Sequence, residues 1–468
     1  MYAGLDSDKL KEECGVMGVY SDDKQSTSQL IYFGLYALQH RGQESAGMAV
    51  SDDGVIDYHK EMGLVPRVFN NKVLKELTGN VGIGHVRYST TGESHVENAQ
   101  PLVVKYKKGH IALAHNGNLV NASALRDMLE NEGVIFQTSI DSEVVANLLA
   151  RYHKDNIEES VKQVMEVLKG SFAFVLMNDD KVIGARDPHG LRPLCIGKTE
   201  NGYILASESC ALSTIGAEFV RDVEPGEVIV IDENGLKSIK SNKWCRKSLC
   251  MFELIYFARP DSTMDDINIY LARSEAGKIL AKEAPVEADV VISVPDSGTP
   301  AAIGFAEESK IPYGVGLIKN KYTGRTFIQP NQELREQGVK IKLNVLKENV
   351  KDKRVVMVDD SIVRGTTSKR IVAMLKEAGA KEVHVRVSSP PVKYSCFFGI
   401  DTPYRKYLVG ANYTVDEIRE NIGADSLHYI SLEGLKKSTK RESGFCLACL
   451  NGQYPMEVPM EGDNKKGD

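Results

Sequence analysis

The segment at residues 354–370, RVVMVDDSIVRGTTSKR, constrains the fold and the chemistry of this chain most strongly. A short apolar run ends in Asp359 and Asp360, and a Ser/Gly/Thr loop then leads into a helix-forming stretch. Backbone N–H groups at such a helix N-terminus bind anions, and acids at the carboxyl end of a parallel strand lie where ligands bind. The pattern predicts a site for a phosphorylated sugar, with carboxylates for ribose hydroxyls or Mg²⁺ and the loop for a phosphate.

The two halves of the chain have different patterns. In the second half, near-continuous Val/Ile runs such as ADVVISV (288–294) and EVHVRVSS (382–389) alternate with helical stretches of ten or more residues. This is typical of an α/β fold with a buried parallel sheet. In the first half, many short strands are interrupted by amphipathic helices, and the pair SFAFVLM and KVIGA (171–185) predicts a hairpin. We therefore predict an α+β first domain with antiparallel sheets.

Composition excludes several classes of protein. The 468 residues suffice for two to four domains, and 42% hydrophobic with 26% charged residues is typical of globular proteins. A net charge of −6 argues against a nucleic-acid-binding surface over the whole protein. No apolar run approaches the roughly 20 residues of a membrane span, and the first 13 residues are neither a signal nor a transit peptide. We expect a cytoplasmic protein, so its eight cysteines should be reduced thiols, ligands or nucleophiles.

The segment with the paired acids resembles the phosphoribosyl pyrophosphate loop of type I phosphoribosyltransferases. The resemblance implies that Asp359 and Asp360 bind the ribose and Mg²⁺. Upstream, VPDSGTPAA (294–302) is similar to the pyrophosphate loop of that fold and places Ser297 near the metal. The basic stretch IKNKYTGRTFIQP (318–330) would close over the pyrophosphate. The loop residues implied to hold the 5′-phosphate are Ser361, Arg364, Gly365, Thr366 and Thr367.

Cys14 stands at the head of a predicted strand, after a short acidic leader. It has two interpretations, a buried strand cysteine or an N-terminal nucleophile that is exposed when the leader is cut. In the second case, the freed α-amine, with an ordinary pKa of about 8, would activate the thiol of its own residue. Four histidines, none of them linked to a cysteine by spacing, are expected to have core or hydrogen-bonding roles: His40, His85, His115 and His189.

Three further strings favour the second interpretation. LQHRGQESAG (38–47), GHVRYSTTG (84–92) and AHNGNL (114–119), together with Cys14, resemble the class II glutamine amidotransferases. The fold implied is that of the N-terminal-nucleophile hydrolases, an αββα sandwich.

This resemblance assigns a role to each of five residues. Cys14 would attack the side-chain amide of glutamine, and Asn116 with the backbone N–H of Gly117 would form the oxyanion hole. A strand followed by a tight Asn-Gly turn is expected there, since it would aim both donors at one point. Arg87 would hold the α-carboxylate of glutamine as a bidentate fork, and Asp141 would take its α-ammonium.

A glutaminase followed by a phosphoribosyltransferase resembles the amidophosphoribosyltransferase family. The reaction implied is transfer of ammonia from glutamine to C1 of phosphoribosyl pyrophosphate, giving 5-phosphoribosylamine, the first committed intermediate of purine synthesis. The family also implies purine nucleotide inhibitors, a homotetramer or homodimer, and no nucleic-acid or membrane partner. The predicted division is a propeptide at 1–13, a glutaminase domain at 14–240, a phosphoribosyltransferase domain at 241–430 and a C-terminal segment at 431–468.

Four cysteines point to an inorganic centre. CLAC (446–449) is a C-x-x-C pair, and two isolated cysteines lie upstream of it. Four thiolates would suit either Zn²⁺ or an iron–sulfur cluster, although this is not the paired spacing of a zinc ribbon. Their positions and the acidic leader resemble the subgroup with a cleaved propeptide and a 4Fe–4S cluster, which selects Cys250 over the nearby Cys245. Cys195 and Cys210 are predicted to be core thiols. The implied cluster ligands are Cys250, Cys396, Cys446 and Cys449.

Three other functions fit the sequence less well. An amidotransferase that aminates a sugar phosphate would carry sugar-isomerase modules in place of the paired-acid segment. A ligand-sensing DNA-binding regulator would need a helix-turn-helix or a basic face, and it leaves the glutaminase strings unexplained. A structural metal protein with an inactive glutaminase conflicts with the intact residues assigned to glutamine hydrolysis.

Overall fold

The computed structural model describes residues 14–88, 94–240, 245–320 and 343–459. The predicted propeptide at 1–13, most of the basic stretch at 318–330 and the C-terminal tail at 460–468 lie outside the described residues. Within these ranges, no helix is long and apolar enough to cross a membrane.

The first domain contains thirteen strands and seven α-helices in the described ranges. The strands are β1 (Gly15–Ser21), β2 (Ser45–Asp52), β3 (Val55–Met62), β4 (Val81–Arg87), β5 (Leu102–Tyr106), β6 (Gly109–Leu119), β7 (Gly170–Met177), β8 (Val182–Arg186), β9 (Cys195–Thr199), β10 (Gly202–Ala206), β11 (Glu218–Asp222), β12 (Glu227–Asp232) and β13 (Gly235–Lys240). The helices are α1 (Thr27–Ala37), α2 (Val65–Val68), α3 (Asn71–Glu76), α4 (Ala122–Asn131), α5 (Asp141–Tyr152), α6 (Ile157–Val167) and α7 (Ser209–Thr214), with a 3₁₀ turn at Val96–Asn98.

These strands form two stacked antiparallel sheets with helices on both outer faces. One sheet has the order β11-β9-β10-β1-β4-β2-β3 and the other the order β13-β12-β8-β7-β6-β5. Because side chains alternate along a strand, Ala112 and Ala114 of β6 face the other sheet while Ile111 and Leu113 pack with the helices. The predicted αββα sandwich is therefore confirmed, and β1 and β6 lie in the interior of their sheets.

The second domain is built around a parallel sheet. Its strands are β14 (Leu249–Cys250), β15 (Thr263–Met264), β16 (Ile267–Asn268), β17 (Val290–Ser293), β18 (Leu317–Lys319), β19 (Leu343–Val345), β20 (Arg354–Asp359), β21 (Glu382–Val387), β22 (Ser426–Tyr429) and β23 (Phe445–Cys446). Its helices are α8 (Ile269–Glu283), α9 (Thr299–Ser309), α10 (Lys347–Val350), α11 (Thr366–Glu377), α12 (Val409–Asn412), α13 (Val415–Ile422), α14 (Leu432–Ser438) and α15 (Ala448–Asn451), with a π-helical turn at Glu253–Phe257 and a 3₁₀ turn at Arg405–Tyr407.

Four of these strands, in the order β17-β20-β21-β22, are all parallel, as the Val/Ile runs predict. The second strand, β20, is buried from Val355 to Asp359. Asp359 therefore lies at the carboxyl edge of the sheet, and α11 begins shortly after it, at Thr366.

The segment after residue 430 packs onto the second domain. Helix α14 contacts α8, and β23 pairs in parallel with β14, so that Cys446 lies beside Cys250. The start of the domain and its C-terminal segment are thereby held together.

Buried ion pairs join the two domains. Arg41 Nη2 lies 2.7 Å from Glu253 Oε1, and Arg186 Nη1 lies 3.1 Å from Asp265 Oδ1. Removing one partner of such a pair leaves an uncompensated buried charge, typically at a cost of about 3–5 kcal/mol. These pairs fix how the first domain sits on the second.

Candidate active sites

The first candidate site lies where β1 begins. Cys14 directly precedes β1, and the register Gly15↔Val86 places it beside Arg87 at the end of β4. Its thiol donates to the backbone O of Tyr88 at 3.6 Å, and Arg41 Nε donates to the backbone O of Cys14 at 3.0 Å. The sulfur is therefore held at the end of an interior strand.

The environment of this thiol opposes its ionisation. Burial raises the pKa of Cys14 to about 11, although the positive charge of Arg87 acts in the opposite direction. The thiolate is the nucleophilic form, so a base must take the proton at neutral pH. Glu44 and Asp141 also lie close enough for their charges to raise this pKa.

Arg87 is 2% exposed, and its Nη1 donates to Glu44 Oε1 at 2.7 Å. The pair fixes the guanidinium close to the thiol. Glu44 was not predicted as a site residue, since nothing in its spacing from Arg87 indicates that β2 and β4 are neighbours.

Asn116 and Gly117 lie inside β6, so the expected turn after a strand is wrong. The strand continues to Leu119 because its ladder with β7 runs on through Asn116↔Ala173 and Gly117↔Phe172. Gly117 has a φ of +149°, and a Cβ there would lie 2.1 Å from Ser171 O, so only glycine fits.

The side chain of Asn116 is 1% exposed, yet neither its oxygen nor its nitrogen has a hydrogen-bond partner among the described residues. Buried amides are almost always hydrogen-bonded, because leaving one unpaired costs free energy. An unsatisfied amide in this position indicates a site that a ligand completes.

Asp141 is the first residue of α5 and is held in its charged form. Burial raises its pKa, but the charge and hydrogen bond of His115 and the N–H of Leu119 outweigh this, so that the net pKa is lowered. The two contacts measure 3.3 Å, from His115 Nδ1 to Asp141 Oδ1, and 3.0 Å, from Leu119 N to Oδ2. His115 therefore supports a predicted site residue, which its spacing along the chain could not show.

The second candidate site lies at the carboxyl end of β20. Asp359 and Asp360 are 1% and 0% exposed, and Asp359 Oδ1 accepts from Asp360 N at 2.9 Å. Ser361 Oγ donates to Asp360 Oδ1 at 2.8 Å, and Ser297 Oγ, from the loop after β17, donates to Oδ2 of the same carboxylate. The structure thus brings both predicted loops to one point.

The chain between Asp360 and α11 has the shape expected of an anion site. Gly365 has a φ of +80° and immediately precedes Thr366, the first residue of a 12-residue helix. The first N–H groups of a helix have no partners within it, and here they lie close to two carboxylates, as in an anion-binding helix N-terminus. Arg364 lies in this turn, and Thr366 and Thr367 are the first two residues of α11.

Four cysteines line one cavity. The cavity is lined by Leu191, Arg192, Cys250, Cys396, Phe398, Ile400, Cys446, Ala448, Cys449 and Tyr454. Burial raises the pKa of Cys449, and Cys396 and Cys446 lie close enough to raise it further. By contrast, Cys195 and Cys210 are each 1% exposed and lie in the core of the first domain.

Among the described residues, no group of three or more His, Cys, Asp or Glu side chains is arranged to hold a metal ion.

Both halves match known families. The glutamine amidotransferase domain model matches residues 85–214, and the phosphoribosyl transferase domain model matches residues 268–389. An amidophosphoribosyltransferase from Archaeoglobus fulgidus is 54% identical over 96% of this chain and 99% of its own length. One from Bacillus subtilis is 51% identical over 96% and 95%.

Two solved structures are similar to this chain over nearly its whole length. The glutamine phosphoribosylpyrophosphate amidotransferase of B. subtilis, complexed with ADP and GMP, has a TM-score of 0.91 at 50% identity and covers 96% of this chain and 98% of its own. A structure described as the allosteric regulatory enzyme of purine biosynthesis also has a TM-score of 0.91, at 51% identity, with coverage of 96% and 97%. On sequence and fold alike, this chain belongs to the amidophosphoribosyltransferase family.

Proposed function

We propose that this chain hydrolyses glutamine at Cys14 and transfers the ammonia to C1 of phosphoribosyl pyrophosphate, giving 5-phosphoribosylamine, glutamate and pyrophosphate. The observation that supports it most is the combination in one chain of two sites: a thiol beside Arg87 in the domain that holds a buried, unsatisfied amide, and buried acids before a helix N-terminus. The test is stoichiometry: with both substrates and Mg²⁺, glutamate and pyrophosphate should appear in equal amounts. Glutamate formed without pyrophosphate would contradict the proposal.

Glutamine binding is assigned to two opposite charges. Arg87, fixed by Glu44, would take the α-carboxylate, and Asp141, kept ionised by His115, would take the α-ammonium. A peptide glutamine lacks both charges, so this pair selects the free amino acid.

Hydrolysis then requires a base and an oxyanion hole. The thiolate of Cys14 attacks the amide carbon, and the developing oxyanion is stabilised by Asn116 and the N–H of Gly117. Ammonia leaves as the C–N bond breaks, and water releases glutamate from the thioester. We assign the base to the α-amine of Cys14, because the histidines of this site are otherwise engaged: His115 contacts Asp141, and His85 Nε2 contacts the backbone O of His115 at 3.0 Å.

That assignment predicts processing. Active enzyme should begin at Cys14, because only a cut before this residue frees its α-amine. N-terminal sequencing of the protein after expression checks this directly. Protein that retains residues 1–13 and still uses glutamine would show that another group takes the proton.

The second site would bind phosphoribosyl pyrophosphate. Asp359 and Asp360 are assigned to the ribose hydroxyls, and the turn from Ser361 to Thr367 to the 5′-phosphate. The residues fit Mg²⁺, which takes one or two carboxylates together with substrate phosphates, and Ser297 would contribute beside them. When bound, Mg²⁺ would neutralise the charge of the leaving pyrophosphate. Ammonia displaces that group at C1.

Two solved structures of relatives support a proposal about regulation. The B. subtilis structure is a complex with ADP and GMP, and a second relative is described as allosteric. We propose that purine nucleotides inhibit this enzyme as end products.

We also propose that the cysteine cavity holds a 4Fe–4S cluster. The four thiols line one cavity, and four thiolates at positions that resemble those of the family's cluster-binding subgroup suit such a centre. Its role would be structural, since transfer of ammonia to a sugar moves no net electrons. Together with a propeptide cut before Cys14, the cluster would place this chain in the subgroup of the family that has a cleaved propeptide and a 4Fe–4S cluster.

Elemental analysis separates the two centres. We expect about four iron and four sulfide per chain with a brown absorbance, and slow loss of tertiary structure when oxygen or a chelator removes the centre. One zinc without sulfide would contradict the cluster. Cys250→Ser should give colourless or insoluble protein, whereas Cys245→Ser, the matched control five residues away, should keep the colour.

A further inference from the structure

A turn of the second domain, residues 396–399, lies directly against the strand that carries Asn116 and Gly117. Three side chains of the first domain donate to two successive carbonyls of this turn. Asn118 Nδ2 donates to Phe397 O and Ser171 Oγ donates to Phe398 O, each at 2.8 Å. Arg192 Nη2 also donates to Phe398 O. The donors come from β6, β7 and the β8–β9 connection, so the turn is held from three sides.

Ser171 joins this turn to the peptide that follows Gly117. It is 0% exposed, and its hydroxyl accepts from Asn118 N at 3.1 Å while it donates to Phe398 O. One buried hydroxyl therefore fixes both the oxyanion strand and the turn of the other domain.

Gly399 completes the contact. Its φ is +101°, and a Cβ there would lie 3.2 Å from Gly117 C, 3.4 Å from Gly117 O and 2.9 Å from Arg192 Nη2. A side chain at this position would have to displace Gly117 or Arg192.

The opposite side of the turn faces the cysteine cavity. Phe398 N donates to Cys396 Sγ at 3.3 Å, and both residues line the cavity. The turn thus touches the oxyanion strand on one side and the cavity on the other.

We infer that the turn at 396–399, held by Ser171, is a positioning element for glutamine hydrolysis: the second domain fixes the oxyanion hole of the first. The inference rests on the proposed roles of Asn116 and Gly117. A donor displaced by a fraction of an ångström stabilises the oxyanion less, whereas Arg87 and Asp141 still bind the glutamine.

Two variants test this inference. Ser171→Ala and Gly399→Ala should each lower kcat for glutamine-dependent synthesis about 10- to 100-fold. KM for glutamine and the ammonia-dependent rate should both stay within about twofold of wild type, because glutamine binding and the second site are unaffected. A purely structural defect would instead lower both the glutamine- and the ammonia-dependent reactions. Ser51→Ala is the matched control: Ser51 is also buried and donates to a loop carbonyl, Asp179 O, at 2.7 Å, away from the site. It should leave both reactions unchanged.

Asn116→Ala, measured in parallel, separates the inference from the function on which it rests. If Asn116→Ala loses glutamine-dependent activity while Ser171→Ala and Gly399→Ala retain it, the positioning inference is overturned and the oxyanion assignment stands. If Asn116→Ala retains that activity, both are overturned. Equal losses of the glutamine- and ammonia-dependent reactions in Ser171→Ala and Gly399→Ala would also overturn the inference, since the turn would then serve only folding.

Discussion

Cys14→Ala is expected to abolish glutamine-dependent synthesis of 5-phosphoribosylamine and to leave ammonia-dependent synthesis within about twofold of wild type. The substitution removes the proposed nucleophile, and the oxyanion hole cannot act without an attacking group. The sugar-phosphate site lies in the other domain, at the carboxyl end of β20. The check is to assay both nitrogen sources, with ammonia supplied at alkaline pH, where the unprotonated form predominates.

Cys195→Ala is the matched control for this result. Cys195 is a buried thiol of the same domain, and its Sγ donates to Ala206 O at 3.3 Å, so its loss should affect stability without affecting the use of glutamine. Glutamine-dependent activity that survives in Cys14→Ala would assign the nucleophile to another residue.

Asp359→Asn and Asp360→Asn should each lower both the glutamine- and the ammonia-dependent reactions by a factor of about 10² or more, as for loss of one transition-state contact. Each change keeps the side-chain shape and removes one buried negative charge. That charge is needed for the ribose and Mg²⁺ whichever nitrogen source is used. Steady-state rates with both sources measure the effect.

Asp289→Asn is the matched control, because it also removes one carboxylate charge from the second domain. Asp289 Oδ2 accepts from Arg354 N at 2.8 Å, at the opposite, amino end of β20. It should leave both reactions unchanged. A loss confined to the glutamine-dependent reaction in Asp359→Asn would show that the paired acids serve the other half of the chemistry.

Local patterns predicted much of this fold. The Val/Met run before Asp359 predicted a buried strand, and the Ser/Gly/Thr loop after it predicted a helix start, so both the parallel sheet and its ligand edge followed from sequence. In the first domain, the many short strands predicted antiparallel sheets, whereas the stacking of two sheets between helices was implied only by the family resemblance. Where short-range periodicity determines structure, prediction and structure agree.

Long-range pairing accounts for what sequence reasoning missed. The Asn-Gly pair predicted a turn, but the ladder with β7 keeps Asn116 and Gly117 in a strand, because tertiary pairing overrides local turn preference. Likewise, Arg41 contacts Glu253 across 212 positions, and His115 meets Asp141 only through the packing of α5 on β6. No periodicity encodes such contacts.

The division of the reaction between two sites is tested most directly by the ratio of ammonia-dependent to glutamine-dependent synthesis, measured in one series for wild type, Cys14→Ala and Asp359→Asn. We predict that this ratio rises at least about 100-fold in Cys14→Ala and stays within about twofold of wild type in Asp359→Asn. An unchanged ratio in Cys14→Ala, or a ratio that rises in Asp359→Asn, would contradict the account.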